Sequence, residues 1–450
     1  MFRSLLLLLA ACLCVDVSAA QDFVPGRREA VGVVQGPYDG NGLAESTVYD
    51  HLFDFQGPWA SLVFTNVNLG TSSRLEIISN LDGSVEEFVG GTMANCQGRS
   101  SLFNGGQIVV RLHVAPNDRG VGFRLDSADV GQHQFTERSL CGEDNRSRST
   151  DNRIARFIKF NTNGSIGICT AYLSSAGIFI TAGHCFDADG DGNRDANNGY
   201  RVEFNVPSSN SNGTIVFAAP QDQYPVNNSQ FLHDPSVIAG RDFACFDTTT
   251  NSSGQHPQQR QGYFRLCGTG TFLVGADLRV TGHGDDTGIN YATQQTSTGQ
   301  VLSNLSVGLP VPHWYAFYQA DTEAGSSGSP LFVDSRPGYA AGIHTDGGCS
   351  LEFPPAGNAG TDIRLPALNA MLADFPGPDS RFVDRTHAHR VTTMGSGTPL
   401  DPDWNVTRSA TTVANGGTVY ITDGTYNDIG RFDRPQRWVA PFGGVRIGVP

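Results

Sequence analysis

The sequence predicts an all-β protein, and three observations carry that prediction. Apolar runs are short and β-branched, 54 glycines in 450 residues punctuate them, and helical periodicity is confined to about Leu365 to Phe375. From about Thr47 to Asp129, alternating runs such as Ser61-Leu-Val-Phe-Thr65, Arg74-Leu-Glu-Ile-Ile78 and Ile108-Val-Val-Arg-Leu-His113 are separated by Gly, Asn and Asp turns. That pattern implies an antiparallel β-sandwich of jelly-roll type, making residues 21–135 an N-terminal pro or accessory domain.

The remaining elements follow in chain order. Residues 1–20 combine Arg3, the apolar core Leu5 to Leu9 and the small-residue end Ser18-Ala-Ala20, the pattern of a cleaved signal peptide, so the protein is expected to be secreted. No later run is long and apolar enough for a membrane span. A net charge of -14, with Lys159 as the single lysine, excludes nucleic acid as a partner, because phosphate binding needs clustered cations. Length allows about three domains. The polar segment 136–153 reads as linker and processing region, residues 154–376 as a central domain, and residues 377–450 as a β-rich extension. Within the extension, Val413 to Tyr426 resembles one coil of a right-handed β-helix. A single coil cannot bury its own face, so it is expected to pack on the central domain.

Three segments of the central domain carry chemistry. Ile180-Thr-Ala-Gly-His-Cys185 presents a histidine after an apolar strand, Gly240-Arg-Asp-Phe-Ala-Cys-Phe246 an aspartate entering one, and Asp321-Thr-Glu-Ala-Gly-Ser-Ser-Gly-Ser-Pro330 a serine between glycines. A serine hydroxyl is a weak nucleophile near neutral pH, so a histidine must take its proton and a carboxylate must fix the imidazole tautomer. Asp222, Asp234 and Asp247 lie near Asp242, but only Asp242 is followed directly by alternating apolar residues.

The order His184, Asp242, Ser327 is that of chymotrypsin, and residues 141 to about 375 resemble the bacterial glutamyl endopeptidase branch of the chymotrypsin-like serine proteases. Cys141-Gly-Glu-Asp-Asn-Arg146, Ile166-Gly-Ile-Cys-Thr170, the serine block and Gly342-Ile-His-Thr-Asp-Gly347 carry the resemblance, with Gly360 to Phe375 as its closing helix. It implies two six-stranded antiparallel barrels with the triad in the cleft between them. It further implies oxyanion donors at Gly325 and Ser327, polypeptide substrates, a monomer, and catalysis without a cofactor. Ser326 stands where trypsin-like enzymes carry the aspartate that captures a new N-terminus, so activation by that salt bridge is not expected.

Substrate choice turns on three residues. Asp321, six before the nucleophile, stands where a pocket aspartate would attract Arg or Lys. Thr322 and His344 match the residues that bind a glutamate carboxylate in the resembled branch, and both can donate hydrogen bonds. The resemblance therefore implies cleavage after Glu, with Asp second, and a pH dependence that includes His344. Trypsin-like cleavage after Arg or Lys through Asp321 is the alternative. A non-catalytic binding protein on the same fold is less favoured, because all three triad residues are present.

Cysteines and an acidic loop complete the reading. An exported chain permits oxidation. The resemblance implies a Cys169–Cys185 disulfide, and Cys245 with Cys267 is a second candidate pair. Removal of the N-terminal domain after Cys96 would leave Cys141–Cys349 as the third. The rival pairing joins Cys96 to Cys141 and leaves Cys349 free. Asp187, Asp189, Asp191 and Asp195 are spaced like the front half of a calcium loop, though position twelve is Asn198. A structural calcium ion and a plain solvated loop are both open at this point.

Overall fold

Short β-branched runs punctuated by glycine favour extended chain that reverses tightly, and strands dominate the computed structural model. It describes residues 22–132, 140, 142–235, 240–269, 272–307, 312–347, 357–377, 379–430, 432 and 434–448. The predicted signal peptide, Cys141 and Cys349 lie outside the described residues. No helix among the described residues is long and apolar enough to cross a membrane.

The N-terminal region is a jelly roll. One sheet orders Gly26–Tyr38, Val121–Gly131, Trp59–Asn68 and Phe103–Asn104, and the other orders Ser46–Asp54, Gln107–Val114, Arg74–Ser79 and Val85–Val89. Strand Arg74–Ser79 alternates strictly, placing Leu75 and Ile77 in a core with Leu62, Phe64, Phe88, Val110, Leu112 and Leu125.

Two closed barrels follow. The first joins Ile154–Asn161, Ile166–Leu173, Phe179–Thr181, Asn197–Glu203, Gln223–Pro235 and Asp242–Thr248, and pairing of Ile166–Leu173 with Phe179–Thr181 closes it. The second joins Asp277–Gly282, Gln295–Val307, His313–Tyr318, Pro330–Val333, Gly342–Asp346 and Asn358–Asp362, closed by Gln295–Val307 against His313–Tyr318. This is a chymotrypsin-like fold. Helix Pro366–Asp374 buries Leu368 and Leu372 against the core of the first barrel.

Both barrels gain a strand from the flanking chain. Asp22–Val24 pairs with Ile166–Ile168 of the first, and Ser147–Arg148 pairs with Gln295 and Thr296 of the second. Part of the expected linker is thus built into a barrel edge. The C-terminal extension stacks Ser380–Val383, Thr418–Ile421 and Arg437–Val439 in parallel, and Gly424–Tyr426 pairs parallel to Val445–Ile447. Phe382 reaches the first-barrel core, and Arg265 Nε donates to Asp384 Oδ2 at 2.7 Å across the junction. Helix Val406–Thr412, which the sequence reading did not foresee, is capped by Asn405, whose side chain accepts from the Arg408 amide.

Candidate active site

His184 sits on the single turn Gly183–Cys185 directly after strand Phe179–Thr181. That strand pairs with Asp242–Thr248, Thr181 opposite Ala244, which brings the start of the aspartate strand beside the histidine. Gly183 permits the approach, because an added Cβ would lie 2.6 Å from the Asp234 carbonyl and 2.9 Å from Asp242 Oδ1. The His184 amide donates to Asp242 Oδ1 at 3.0 Å, and ring Nδ1 lies 2.5 Å from Oδ2. Thr361 of the second barrel holds Asp242 in turn: its Oγ1 accepts from the Asp242 amide at 3.2 Å and donates to the Asp242 carbonyl at 3.0 Å.

His184, Asp242 and Ser327 are all buried. Burial alone would push the imidazole of His184 down. The charge and hydrogen bond of Asp242 overcome it, helped by Asp346, and the net shift is upward. His184 Nε2 is buried with no hydrogen-bond partner among the described residues, which leaves it available to take a hydroxyl proton.

The serine turn is fixed from both barrels. Gly325 and Gly328 take φ values of 91° and 90°, in the left-handed region that favours glycine. At Gly328 a Cβ would lie 1.9 Å from the Thr170 carbonyl, so close packing demands glycine as well. Thr170, from the first barrel, donates its amide to the Ser327 carbonyl at 2.7 Å and its hydroxyl to the Gly325 carbonyl at 3.0 Å. Thr181 Oγ1 donates to the Thr170 carbonyl at 2.7 Å, linking the histidine strand to the serine turn.

The three predicted pocket residues differ in their surroundings, and Asp321 is tied to the chain before the first barrel. It is buried, and its Oδ2 accepts the Asn145 amide at 2.9 Å, so its carboxylate already holds the chain that precedes the first barrel. Thr322 is also buried, and its Oγ1 has no hydrogen-bond partner among the described residues. His344 lies on strand Gly342–Asp346, with Nδ1 2.5 Å from Tyr318 Oη, and Tyr318 Oη also lies 3.3 Å from the Ala359 carbonyl. Burial, reinforced by repulsion from His184, pushes His344 down to about 3. That shift favours the neutral ring in the free protein. Burial, with the Asp242 charge second, pushes Asp346 up to about 6.

The cysteine expectations divide. Cys169 and Cys185 form a disulfide, with Cα atoms 6.3 Å apart. Cys245 and Cys267 do not: both are free thiols, and they lie in separate apolar clusters, Cys245 in the first-barrel core and Cys267 in the second. Cys96 is likewise a buried free thiol. Pairings through Cys141 or Cys349 concern residues outside the described set.

The acidic loop brings three of its four candidate ligands together. Carboxylate oxygens of Asp187, Asp189 and Asp195 lie within 4.8 Å of one another, but Asp191 is not among them. Its Oδ1 instead accepts the Asn193 amide at 2.7 Å. Asp187 accepts the amides of Gly190 and Gly192 at 2.9 and 2.8 Å, and Lys159 pairs with Asp195. Three carboxylates with a lysine beside them fit a cation less well than the predicted four.

Thr170, Thr361, Tyr318, Asn145 and Asp346 escaped the sequence reading as functional residues. Thr170 left one signal, a hydroxyl ending the otherwise apolar run Ile166-Gly-Ile-Cys.

Comparison with known proteins agrees with this geometry. Residues 167–343 match the trypsin-like peptidase domain family. A secreted RxLR effector protein 73 from Plasmopara viticola is 25% identical over 51% of this chain and 57% of its own length. A glutamyl endopeptidase from Bacillus licheniformis is 25% identical over 48% of this chain and 60% of its own length. The chain thus spans about three-fifths of the length of these curated relatives. Among solved structures, the protease Anisep from Arthrobacter nicotinovorans aligns with a TM-score of 0.35 at 15% identity, covering 48% of this chain and 93% of that one. The domain that carries His184, Asp242 and Ser327 is that of a serine endopeptidase, a hydrolase.

Proposed function

We propose that the whole chain acts as a secreted, monomeric serine endopeptidase that cuts polypeptides after Glu, with Asp second. Ser327 attacks the scissile carbonyl while His184 Nε2 takes the hydroxyl proton, and Asp242 stabilises the resulting imidazolium. The Gly325 and Ser327 amides receive the oxyanion. His184 then returns its proton to the leaving amine, and water repeats the sequence to release the acyl group. No cofactor takes part. A structural calcium ion at Asp187, Asp189 and Asp195 belongs to the same proposal.

The observation that carries the Glu reading is the bond from the Asn145 amide to Asp321 Oδ2, because it ties that carboxylate to the 142–148 segment and takes one of the acceptor sites a basic side chain would use. The hydroxyl of Thr322 and the neutral ring of His344 favour a carboxylate instead. The Tyr318 hydroxyl carries one proton: given to His344 Nδ1 it leaves the ring proton on Nε2, and given to the Ala359 carbonyl it requires a proton on Nδ1. A peptide-library cleavage profile tests the reading. Glu should dominate immediately before the cut, and His344→Ala should lose that preference more than it loses reaction with small esters. Arg dominance abolished by Asp321→Ala would overturn the specificity while leaving the peptidase intact.

A further inference from the structure

The N-terminal jelly roll is joined to the first barrel as one domain core is joined to itself. Val24, Trp59 and Leu102 share a buried cluster with Ile158, Phe160, Ile166 and Phe217 of the central domain. Trp59 is fully buried and meets Phe217 edge-on at 5.7 Å. Around this apolar centre, side-chain amides pair with backbone in both directions. The Leu102 amide donates to Gln223 Oε1 and Gln223 Nε2 donates to the Leu102 carbonyl, both at 2.9 Å. Asn104 makes the same two-way pairing with Phe217, at 2.8 and 3.2 Å.

Charge is distributed in the same way. Arg201 of the first barrel is buried, with Nη1 3.0 Å from Ser101 Oγ and Nη2 3.4 Å from the Arg99 carbonyl. Arg99 lies 4.2 Å above the Phe160 ring while paired with Asp129 at 2.7 Å. Without the jelly roll, Arg201 and Gln223 would lose hydrogen-bond partners and the Phe160–Phe217 face would meet water. Unpaired buried polar groups and exposed apolar surface both penalise that state.

These contacts fall on the wall formed by Ile154–Asn161, Ile166–Leu173, Asn197–Glu203 and Gln223–Pro235. The last of these strands pairs with the strand that begins at Asp242, and Ile166–Leu173 pairs with the strand that precedes His184. We propose that residues 22–132 are a permanent subunit of the enzyme. They stay on the first barrel without a covalent link and brace the strands that position His184 and Asp242, and they are not a pro-domain that leaves on activation. The jelly roll is then the partner for which this barrel face is built, whichever side chain the pocket selects.

The test inserts the recognition sequence of an unrelated site-specific protease between Gln132 and Gly142 of the full chain, cuts it, and runs gel filtration in native buffer and in urea. The two fragments should co-elute at the mass of the intact chain in native buffer and separate in urea. Fluorophosphonate labelling of the larger fragment should be undiminished. Trp59→Ala with Gln223→Ala should weaken retention of the nicked jelly roll at least about 10-fold, while the uncut double variant keeps its fold through the tether. Separation of the fragments in native buffer would overturn permanent association. Labelling or peptidase activity that rises when the jelly roll is lost would overturn the bracing role. Neither readout depends on the choice of Glu, so failure here is distinguishable from failure of the specificity assignment.

Discussion

Thr170 and Gly325 belong to different barrels, and the hydroxyl of one donates to the carbonyl of the other at 3.0 Å. The bond fixes the carbonyl two residues before the nucleophile, and with it the peptide plane that joins Gly325 to Ser326 inside the serine turn. The same hydroxyl accepts the His283 amide at 2.8 Å, so it cannot turn away without breaking both bonds.

Thr170→Val keeps the shape and β propensity of the strand but removes that hydroxyl. The turn should loosen by a fraction of an ångström, and kcat should fall about 10- to 100-fold with little change in circular dichroism, since small misplacements of catalytic groups are costly. Unchanged kcat would show that the turn holds itself.

Ser327→Ala should abolish fluorophosphonate labelling and lower peptidase activity by about three or more powers of ten. Persistent labelling would place the nucleophile elsewhere.

Asp346→Asn tests the electrostatics behind His184. The Asp346 charge favours the imidazolium, so in the parent the acid limb of kcat/KM should lie above the ordinary histidine value. Removing that charge should lower the His184 pKa and move the acid limb to lower pH, raising relative activity between about pH 6 and 7, where Asp346 is ionised in the parent. A limb that stays in place would rule out Asp346 as a contributor.

Tyr318→Phe removes the partner of His344 Nδ1 while keeping the ring. If the tyrosine sets the tautomer, the Glu preference should fall by about 10-fold or more, as for a lost hydrogen bond to a charged group, with ester hydrolysis nearly unchanged. Equal losses on both substrates would assign Tyr318 a packing role only.

For the acidic loop, calcium should raise the melting temperature of the chelated protein by ligand linkage, and Lys159→Gln should enhance the effect by freeing Asp195. Identical melting with and without calcium in both proteins would leave the loop as a set of aspartate-capped turns.

The His184–Asp242 pair and the serine turn were legible because each residue occupies a local segment whose pattern is self-contained: His184 after an apolar strand, Asp242 before one, Ser327 between glycines. The Cys169–Cys185 bridge followed from the same segments by resemblance. What escaped depends on register between distant strands. Nothing near Asp321 in sequence announces that Asn145 will bind it, because the contact spans 176 residues. Cys245 and Cys267 looked pairable from position alone, but their strands turn them into different cores. The acidic loop stays open for a related reason: alternate aspartates serve equally well as caps for successive turns, and spacing does not distinguish a cap from a ligand.

The bond between Asn145 and Asp321 also constrains how this lineage could change its diet. The aspartate that would attract a basic side chain is present here, with one oxygen bonded to backbone. Conversion to cutting after arginine would have to detach the 142–148 segment from the second barrel and also replace Thr322 and His344. Each intermediate would carry either a loosened barrel edge or a pocket with donors and no anion to receive them. On the proposed Glu reading, the specificity is guarded by tertiary structure, so drift at any single pocket residue is expected to erode activity before it redirects it.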